Sequence, residues 1–296
     1  MTRTRLGDLV ELVRAPAALT VPGDALVGAA AAGWPFGRRT PLLAGTSVCL
    51  YWAGMALNDW ADRDRDADER PERPIPSGRV SPGTALGLAC GLTAAGLGIA
   101  ALAGGRRALA VAGPLAATAW AYDLAAKTTP AGPVTMAAAR TLDVLLGAGG
   151  SRAAMVAALP AALAVGTHTL GVTELSRGEV AGGSPGAARG ALVATGGAAA
   201  LSAAAASAHR GPHRRLDRGA GLALTVAYLA AVVPPQLDAA RKPAPELVRR
   251  AVGAGILGLV PLQASLIARA GAPRMAVLVA AAFPVARRLS RKVSPT

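Results

Sequence analysis

Leu57 to Gly78 reads LNDWADRDRDADERPERPIPSG, and it places Asp59, Asp62, Asp64, Asp66, Asp68, Glu69 and Glu72 at the end of an apolar run in a chain dominated by Ala, Leu, Val and Gly. If the apolar run is a helix that continues into the charges, Asn58, Asp62 and Asp66 recur at i, i+4 and i+8, with Asp59 one position off the row. That spacing predicts one shared helical face. A row of carboxylates repels itself unless a cation stands in front of it. Mg²⁺ answers this well, because it takes one or two carboxylates and completes its octahedron with water and phosphate oxygens. The competing reading is a solvated loop whose Asp and Arg residues pair at a membrane surface. The basic, Pro/Gly-fixed turn Arg73-Pro74-Ile75-Pro76-Ser77-Gly78-Arg79 that follows suits an anion and favours the metal-diphosphate reading.

Outward from this stretch the chain is a series of apolar runs. They cover approximately 15–33, 41–58, 81–105, 108–126, 131–150, 153–173, 190–208, 219–237 and 251–268. Each approaches the ~20 residues that a helix needs to cross the hydrocarbon core. A further run, Met275 to Ala286, is short and crosses only if its flanking Arg274 and Arg287 snorkel. With 296 residues, 52% of them hydrophobic, and a mean hydropathy of +0.40, the composition excludes a water-soluble globule of this size. The net charge of +14 is scattered in short clusters between apolar runs, which fits lipid headgroups and not nucleic acid. Two Phe, three Tyr and four Trp also leave little surface on which bases could stack. Cys49 and Cys90 fall in apolar runs and read as buried free thiols. With an inside amino terminus, the cytosolic loops carry more Lys and Arg than the outer ones, which puts the Asp-rich loop in the cytosol.

Asn58-Asp59-x-x-Asp62-x-x-x-Asp66 followed by Glu72-Arg73-Pro74-Ile75-Pro76-Ser77-Gly78 resembles the first signature of the UbiA-type intramembrane prenyltransferase superfamily. The resemblance implies an all-α integral membrane protein of about nine transmembrane helices around a central apolar cavity, with residues 1–296 forming a single polytopic domain in the cell membrane. It also implies an isoprenyl diphosphate donor, Mg²⁺ and two Asp-rich motifs on cytosolic loops. Asn58, Asp59, Asp62 and Asp66 then become the metal set, and Arg73 and Lys127 the cations that face the diphosphate. The place of the second motif reads Thr173-Glu174-Leu175-Ser176-Arg177-Gly178-Glu179-Val180-Ala181-Gly182-Gly183, without Asp-x-x-x-Asp. Glu174 stands where the first acid of that motif belongs, as a further ligand. A five-residue separation puts Glu179 well apart from it around an ideal helix, so both reach one ion only if the chain leaves helical geometry near Gly178. This second loop, with Met136-x-x-x-Arg140 and Asp143-Val144-Leu145-Leu146-Gly147, resembles the EboC-like branch of the superfamily.

Other polar residues are read against this frame. Tyr122 and Lys127 close the fourth run, where a hydroxyl and a mobile point charge can meet phosphate, or can simply be interfacial anchors. Arg140 and Asp143, at i and i+3 within a run, either neutralise each other on one face or line a polar cavity that holds diphosphate or acceptor. Asp24 pairs with a cation such as Arg14, sits near the surface, or lines a cavity. His168 alone in a run reads first as a packed, hydrogen-bonded residue. The expected reaction is transfer of an isoprenyl group to a lipophilic or small hydroxylated acceptor that the sequence does not identify. A terpene cyclase and a non-catalytic polyprenyl-lipid-binding protein are the alternatives.

Overall fold

Prolines set most of the helix starts. Pro22, Pro41, Pro82, Pro133, Pro185, Pro245 and Pro273 each stand at the first or second position of a helix, where a missing N–H costs nothing and φ is already helical. Ser81 and Ser151 cap two helices by accepting hydrogen bonds from the Thr84 and Ala154 N–H groups at 3.1 and 3.3 Å. The computed structural model describes residues 4–15, 21–34, 36–180, 182–205 and 214–289. Its helices are α1 (Leu6–Leu12), α2 (Pro22–Ala31), α3 (Thr40–Ala61), α4 (Arg63–Glu69), α5 (Pro82–Ala121), α6 (Gly132–Gly147), α7 (Arg152–Ser176), α8 (Pro185–Ala205), α9 (Arg214–Arg241), α10 (Pro245–Arg269) and α11 (Pro273–Leu289). A π-helical turn, Tyr122–Ala126, follows α5 directly.

The described residues are all-helical, and five of the helices are long and apolar enough to cross a membrane: α3, α5 with its π-turn, α7, α9 and α10. The expected count of nine does not follow from helix length. The runs 81–105 and 108–126 belong to one unit broken at Gly105, where φ is 58° and ψ is −143°. Only glycine takes such an angle without a Cβ penalty. At 1.5 Å per residue, α2 and α6 measure about 15 and 24 Å, less than the roughly 30 Å hydrocarbon core.

Short α2 is the hub of the bundle, packed against α3, α6, α7 and α10. Glycine allows the closest of these approaches. A Cβ on Gly28 would run into the Val144 carbonyl of α6, and one on Gly147 into the Ala25 carbonyl of α2. The two backbones therefore touch through a reciprocal pair of small residues, as expected where helices associate in lipid. Around them the core is built from Ala and Val of α7 and α10, with Tyr228 and Val232 of α9. Cys49 and Cys90 are free thiols, but Cys49 is half-buried and Cys90 exposed, because the apolar run that holds Cys90 turns that face outward.

Gly28→Leu is expected to lower the thermal midpoint and the folded yield in detergent, by several kcal/mol of overpacking. Gly87→Leu, on an exposed face with open space around the missing Cβ, is expected to be neutral. Fluorescence-detected size exclusion after a heat ramp distinguishes the two.

Candidate active site

Four elements bring the acidic side chains together. α3 contributes Asn58 and Asp59 from its last turn. Asp62 is the joint between α3 and α4, at φ −91° and ψ 0°, and α4 contributes Asp66. The chain stays close to helical across the joint, since the Asp62 N–H bonds to the Asn58 carbonyl at 2.9 Å and the Asp66 N–H to the Asp62 carbonyl at 2.8 Å. These bonds keep Asn58, Asp62 and Asp66 in one helical register, and the three take different partners. Asp59 and Asp66 share Arg73, whose Nη1 lies 3.5 and 2.7 Å from them. Asp62 turns to Lys127, with Nζ at 2.8 Å, and to Arg65 at 3.0 Å. Asn58 donates to Asp123 at 3.0 Å.

Asp123 was not among the expected site residues. It lies in the π-turn between Tyr122 and Lys127, and the signal was present as Asp123-x-x-x-Lys127, two ionisable groups at i and i+4. The π register is closed by the Lys127 N–H bonding to the Tyr122 carbonyl at 2.9 Å. Single-turn π segments of this kind cluster at functional sites. Tyr122 is half-buried beside Asp123 and Asp62.

Arg14 supplies a further cation, 3.4 Å from Asp59, from a backbone held at a left-handed φ of 48°. It is not the partner of Asp24. The basic turn that carries Arg73 is fixed in place by its own hydrogen bonds. The Ser77 hydroxyl donates to the Arg73 carbonyl at 2.6 Å, the Gly78 N–H to Ile75 at 3.0 Å, and the Val80 N–H to Pro74 at 2.9 Å. Arg79 then clamps the turn to α1 through Asp8 at 3.0 Å and Glu11 at 2.6 Å. The Arg5 backbone N–H bonded to Asp8, with Arg79 beside it, holds that carboxyl below its ordinary range.

The electrostatics follow from these pairings. Asp59, Asp62, Asp66 and Asp123 are all buried, and the cations against them are the part-buried Arg14, Arg73 and Lys127 and the exposed Arg65. Ion pairs beside a polar cavity can exchange one cation for another. A polar cavity of about 320 Å³ opens onto it, lined by Trp60, Asp62, Arg63, Asp123, Lys127 and Thr128. Among the described residues, no three Asp, Glu, His or Cys side chains stand close enough to share one ion. An ion here draws on one or two carboxylates, and an oxygen-only donor set of that size fits Mg²⁺.

The second loop is built differently. Glu174 is exposed on the last turn of α7, with no ion pair among the described residues. Glu179 is part-buried near Arg249 and Arg70, and burial raises its carboxyl above the ordinary range. Arginines tie this loop down: Arg177 donates to the Thr129 carbonyl at 2.7 Å and Arg249 to the Glu179 carbonyl at 3.0 Å. Glu174 and Glu179 are thus not brought into contact with the first cluster, and Ala181 lies outside the described residues.

Deeper in the bundle Arg140 and Asp143 do not pair with each other. Arg140 Nε meets Asp24 at 2.9 Å, Gln263 donates to Asp24 at 2.7 Å, and the Ser47 hydroxyl donates to Asp143 at 2.5 to 2.6 Å. α2 offers Asp24 to Arg140 and α3 offers Ser47 to Asp143, which draws apart the two charges of this three-residue step on α6. His168 is a packed core residue, held between the Tyr228 hydroxyl at 2.8 Å and the Gly255 carbonyl at 3.0 Å.

An apolar helical bundle thus closes one end over a cation-bridged acidic cluster. The chain belongs to the UbiA prenyltransferase family, whose pattern matches residues 19–175. Among its relatives, digeranylgeranylglyceryl phosphate synthase of Natronomonas pharaonis is 42% identical over 83 residues, 28% of this chain and 30% of that protein. The bacteriochlorophyll synthase 33 kDa chain of Cereibacter sphaeroides is 47% identical over 47 residues, 16% of this chain and 15% of the other. The matched stretches thus span less than a third of these relatives' own length. The fold is shared with a UbiA homolog from Aeropyrum pernix K1, at a TM-score of 0.67 and 21% identity over 88% of this chain and 98% of that one. It is also shared with a UbiA homolog from Archaeoglobus fulgidus, solved with GPP and Mg²⁺, at a TM-score of 0.63 and 14% identity over 93% and 99%.

Asp66→Asn leaves Arg73, 14% exposed, without its nearest counter-charge and is expected to destabilise the protein by on the order of 3 kcal/mol. Asp66→Asn combined with Arg73→Gln is expected to recover much of that loss in a double-mutant cycle read by denaturant titration in micelles.

Proposed function

We propose that this chain transfers an isoprenyl group from an isoprenyl diphosphate to an acceptor in a Mg²⁺-dependent reaction, working as a single polytopic domain with its Asp-rich loop on the cytosolic face of the cell membrane. The observation that carries the reading is the gathering of four buried carboxylates, two of which, Asp62 and Asp123, line the cavity of about 320 Å³. Family membership and a shared fold with proteins solved with GPP, DMAPP and Mg²⁺ support it. On this reading nine apolar segments cross the bilayer, with the Gly105 break separating two of them.

One or two of Asp59, Asp62, Asp66 and Asp123 would hold each Mg²⁺, with Asn58 as a neutral neighbour that orients Asp123. Mg²⁺, when bound, neutralises charge that grows on the diphosphate as it leaves. Arg73 and Lys127 are already at the carboxylates, so each needs only to turn its head to meet phosphate oxygens. The allylic C–O bond breaks with its electron pair passing to diphosphate. The acceptor supplies the pair for the new bond and gives up its proton. The apolar bundle takes up the isoprenyl chain and keeps water from the electron-poor carbon. Glu174 and Glu179 remain candidates for the substrate side, since α7 and its loop end on the same face as Thr129.

Asp62→Asn and Lys127→Met are each expected to reduce Mg²⁺-dependent diphosphate release from GPP by about 100-fold or more. Release that persists undiminished in both variants refutes the assignment.

A further inference from the structure

Three loops meet at the end of the bundle opposite the acidic cluster. α3 runs from Thr40 to the cluster at Asn58, α6 from the Lys127 side to Gly147, and α5 reaches its Gly105 break before returning to Tyr122. Residues 32–39, 104–107 and 148–152 therefore lie at the far end, about 27 Å from Asn58 along α3. Glycine lets these loops touch. A Cβ on Gly150 would run into the Arg107 carbonyl, one on Gly149 into the Trp34 ring, and one on Gly104 would come to 3.9 Å from the Gly149 carbonyl. Trp34 packs beneath them on the apolar cluster that includes Leu43, Ala108 and Leu146.

The three loops carry Arg38, Arg39, Arg106, Arg107 and Arg152, all exposed, and no Asp or Glu. None of the five has an ion pair or a side-chain hydrogen bond among the described residues, which include every Asp and Glu of the chain. Arginines elsewhere are treated differently, since Arg14, Arg73, Arg79 and Arg140 each have a carboxylate at 3.4 Å or less. Like charges on loops held in contact repel one another, and an anionic layer lying over all of them removes that cost. Such a layer is at hand, because the ends of the membrane-crossing α3, α5 and α7 bring these loops to the depth of lipid headgroups. Phe36, 63% exposed and two positions before Arg38, and the half-buried Trp34 are the aromatic residues that suit that depth. At the same end, where α10 finishes, Arg269 is buried with no carboxylate partner among the described residues and with its Nε unbonded.

We propose that this five-arginine face docks on anionic phospholipid headgroups, in the leaflet opposite the one beside the acidic cluster. The inference goes beyond the prenyl-transfer reading and does not depend on it. A guanidinium pairs with phosphate through two parallel N–H groups, and arginines from three loops can share the phosphates of neighbouring lipids. Lipid phosphate then ties the α2–α3 loop, the α5 break and the α6–α7 loop together where glycine contacts already bring them close. The face selects by net charge. A zwitterionic headgroup brings a cation with its phosphate and relieves little of the repulsion, whereas phosphatidylglycerol brings the negative charge alone.

The test uses the full chain in neutral detergent micelles with phosphatidylglycerol, phosphatidylcholine or inorganic phosphate added. Two quantities are read: the thermal midpoint and the lipid affinity, from titration with labelled lipid at several salt concentrations. Phosphatidylglycerol is expected to raise the midpoint and to bind more tightly than phosphatidylcholine, by a margin that shrinks as salt rises. Arg106→Gln combined with Arg107→Gln is expected to weaken phosphatidylglycerol binding about 25-fold, at about fivefold per arginine removed. Without lipid this variant is expected to melt no lower than the wild type, because like charges have been taken away. Arg241→Gln combined with Arg250→Gln removes two exposed arginines at the opposite end and is expected to change the affinity far less. Equal binding of the two lipids overturns the proposal, as does an equal loss in the two double variants or a lower lipid-free midpoint in the first. A midpoint raised as much by inorganic phosphate as by phosphatidylglycerol also overturns it and assigns the face to the free anion.

Discussion

Burying carboxylates at the end of an apolar bundle is the constraint from which the rest of this structure follows. An ionised carboxylate taken out of water costs several kcal/mol unless paired and hydrogen-bonded. Asp59, Asp62, Asp66 and Asp123 are all buried, and each has a recruited partner. Those partners come from far apart in the chain: Arg14 after α1, Arg73 in the turn after α4, Lys127 after the π-turn. The elements that carry them exist largely to hold them. The Arg79 clamp onto α1, the Ser77 and Gly78 bonds inside the basic turn and the π register at Tyr122 all serve to place a cation against an acid.

The same end of the molecule depends on packing that works at a distance. α2 is only ten residues long, yet it packs against four other helices, and Gly28 and Gly147 remove the Cβ atoms that would hold α2 and α6 apart. That close approach brings Asp24 within reach of Arg140. The small-residue content of the chain, which also fits a coding bias, is thus used structurally at this crossing, whereas at Gly87 there is open space and no packing role.

Much of this was legible in the residues. The apolar runs gave the helical class, and Asn58 to Gly78 gave the position and chemistry of the acidic cluster, because charges so dense beside such apolar sequence have few other uses. The pairings were not legible, since the partners come from distant segments: Arg73 from the turn after α4, Arg14 from the end of α1 and Lys127 from the end of the π-turn. Asp123 was hidden by attention to the Tyr122 and Lys127 that flank it. Arg140 and Asp143 looked like a self-neutralising pair because spacing alone does not report that α2 offers Asp24 to one and α3 offers Ser47 to the other. Helix length does not reproduce the nine apolar runs for a related reason: hydropathy marks where apolar residues stop, but not whether a glycine such as Gly105 bends one helix or a loop separates two.

Two polar centres stacked along one helix face make different demands. The upper one sits beside a polar cavity, where its side chains can reach partners other than one another. The lower one is enclosed, with Asp24 at 0% exposure, so every hydrogen bond it makes has to be internal. Asp24 satisfies that by using two helices at once, Arg140 from α6 and Gln263 from α10. A centre that served packing alone would be more cheaply built from Leu or Val, since hydrophobic isosteres of buried ion pairs are often as stable or more so. The directional bonds of the lower centre tie α2, α3, α6 and α10 to one another in a register that Leu or Val contacts would leave free to slide.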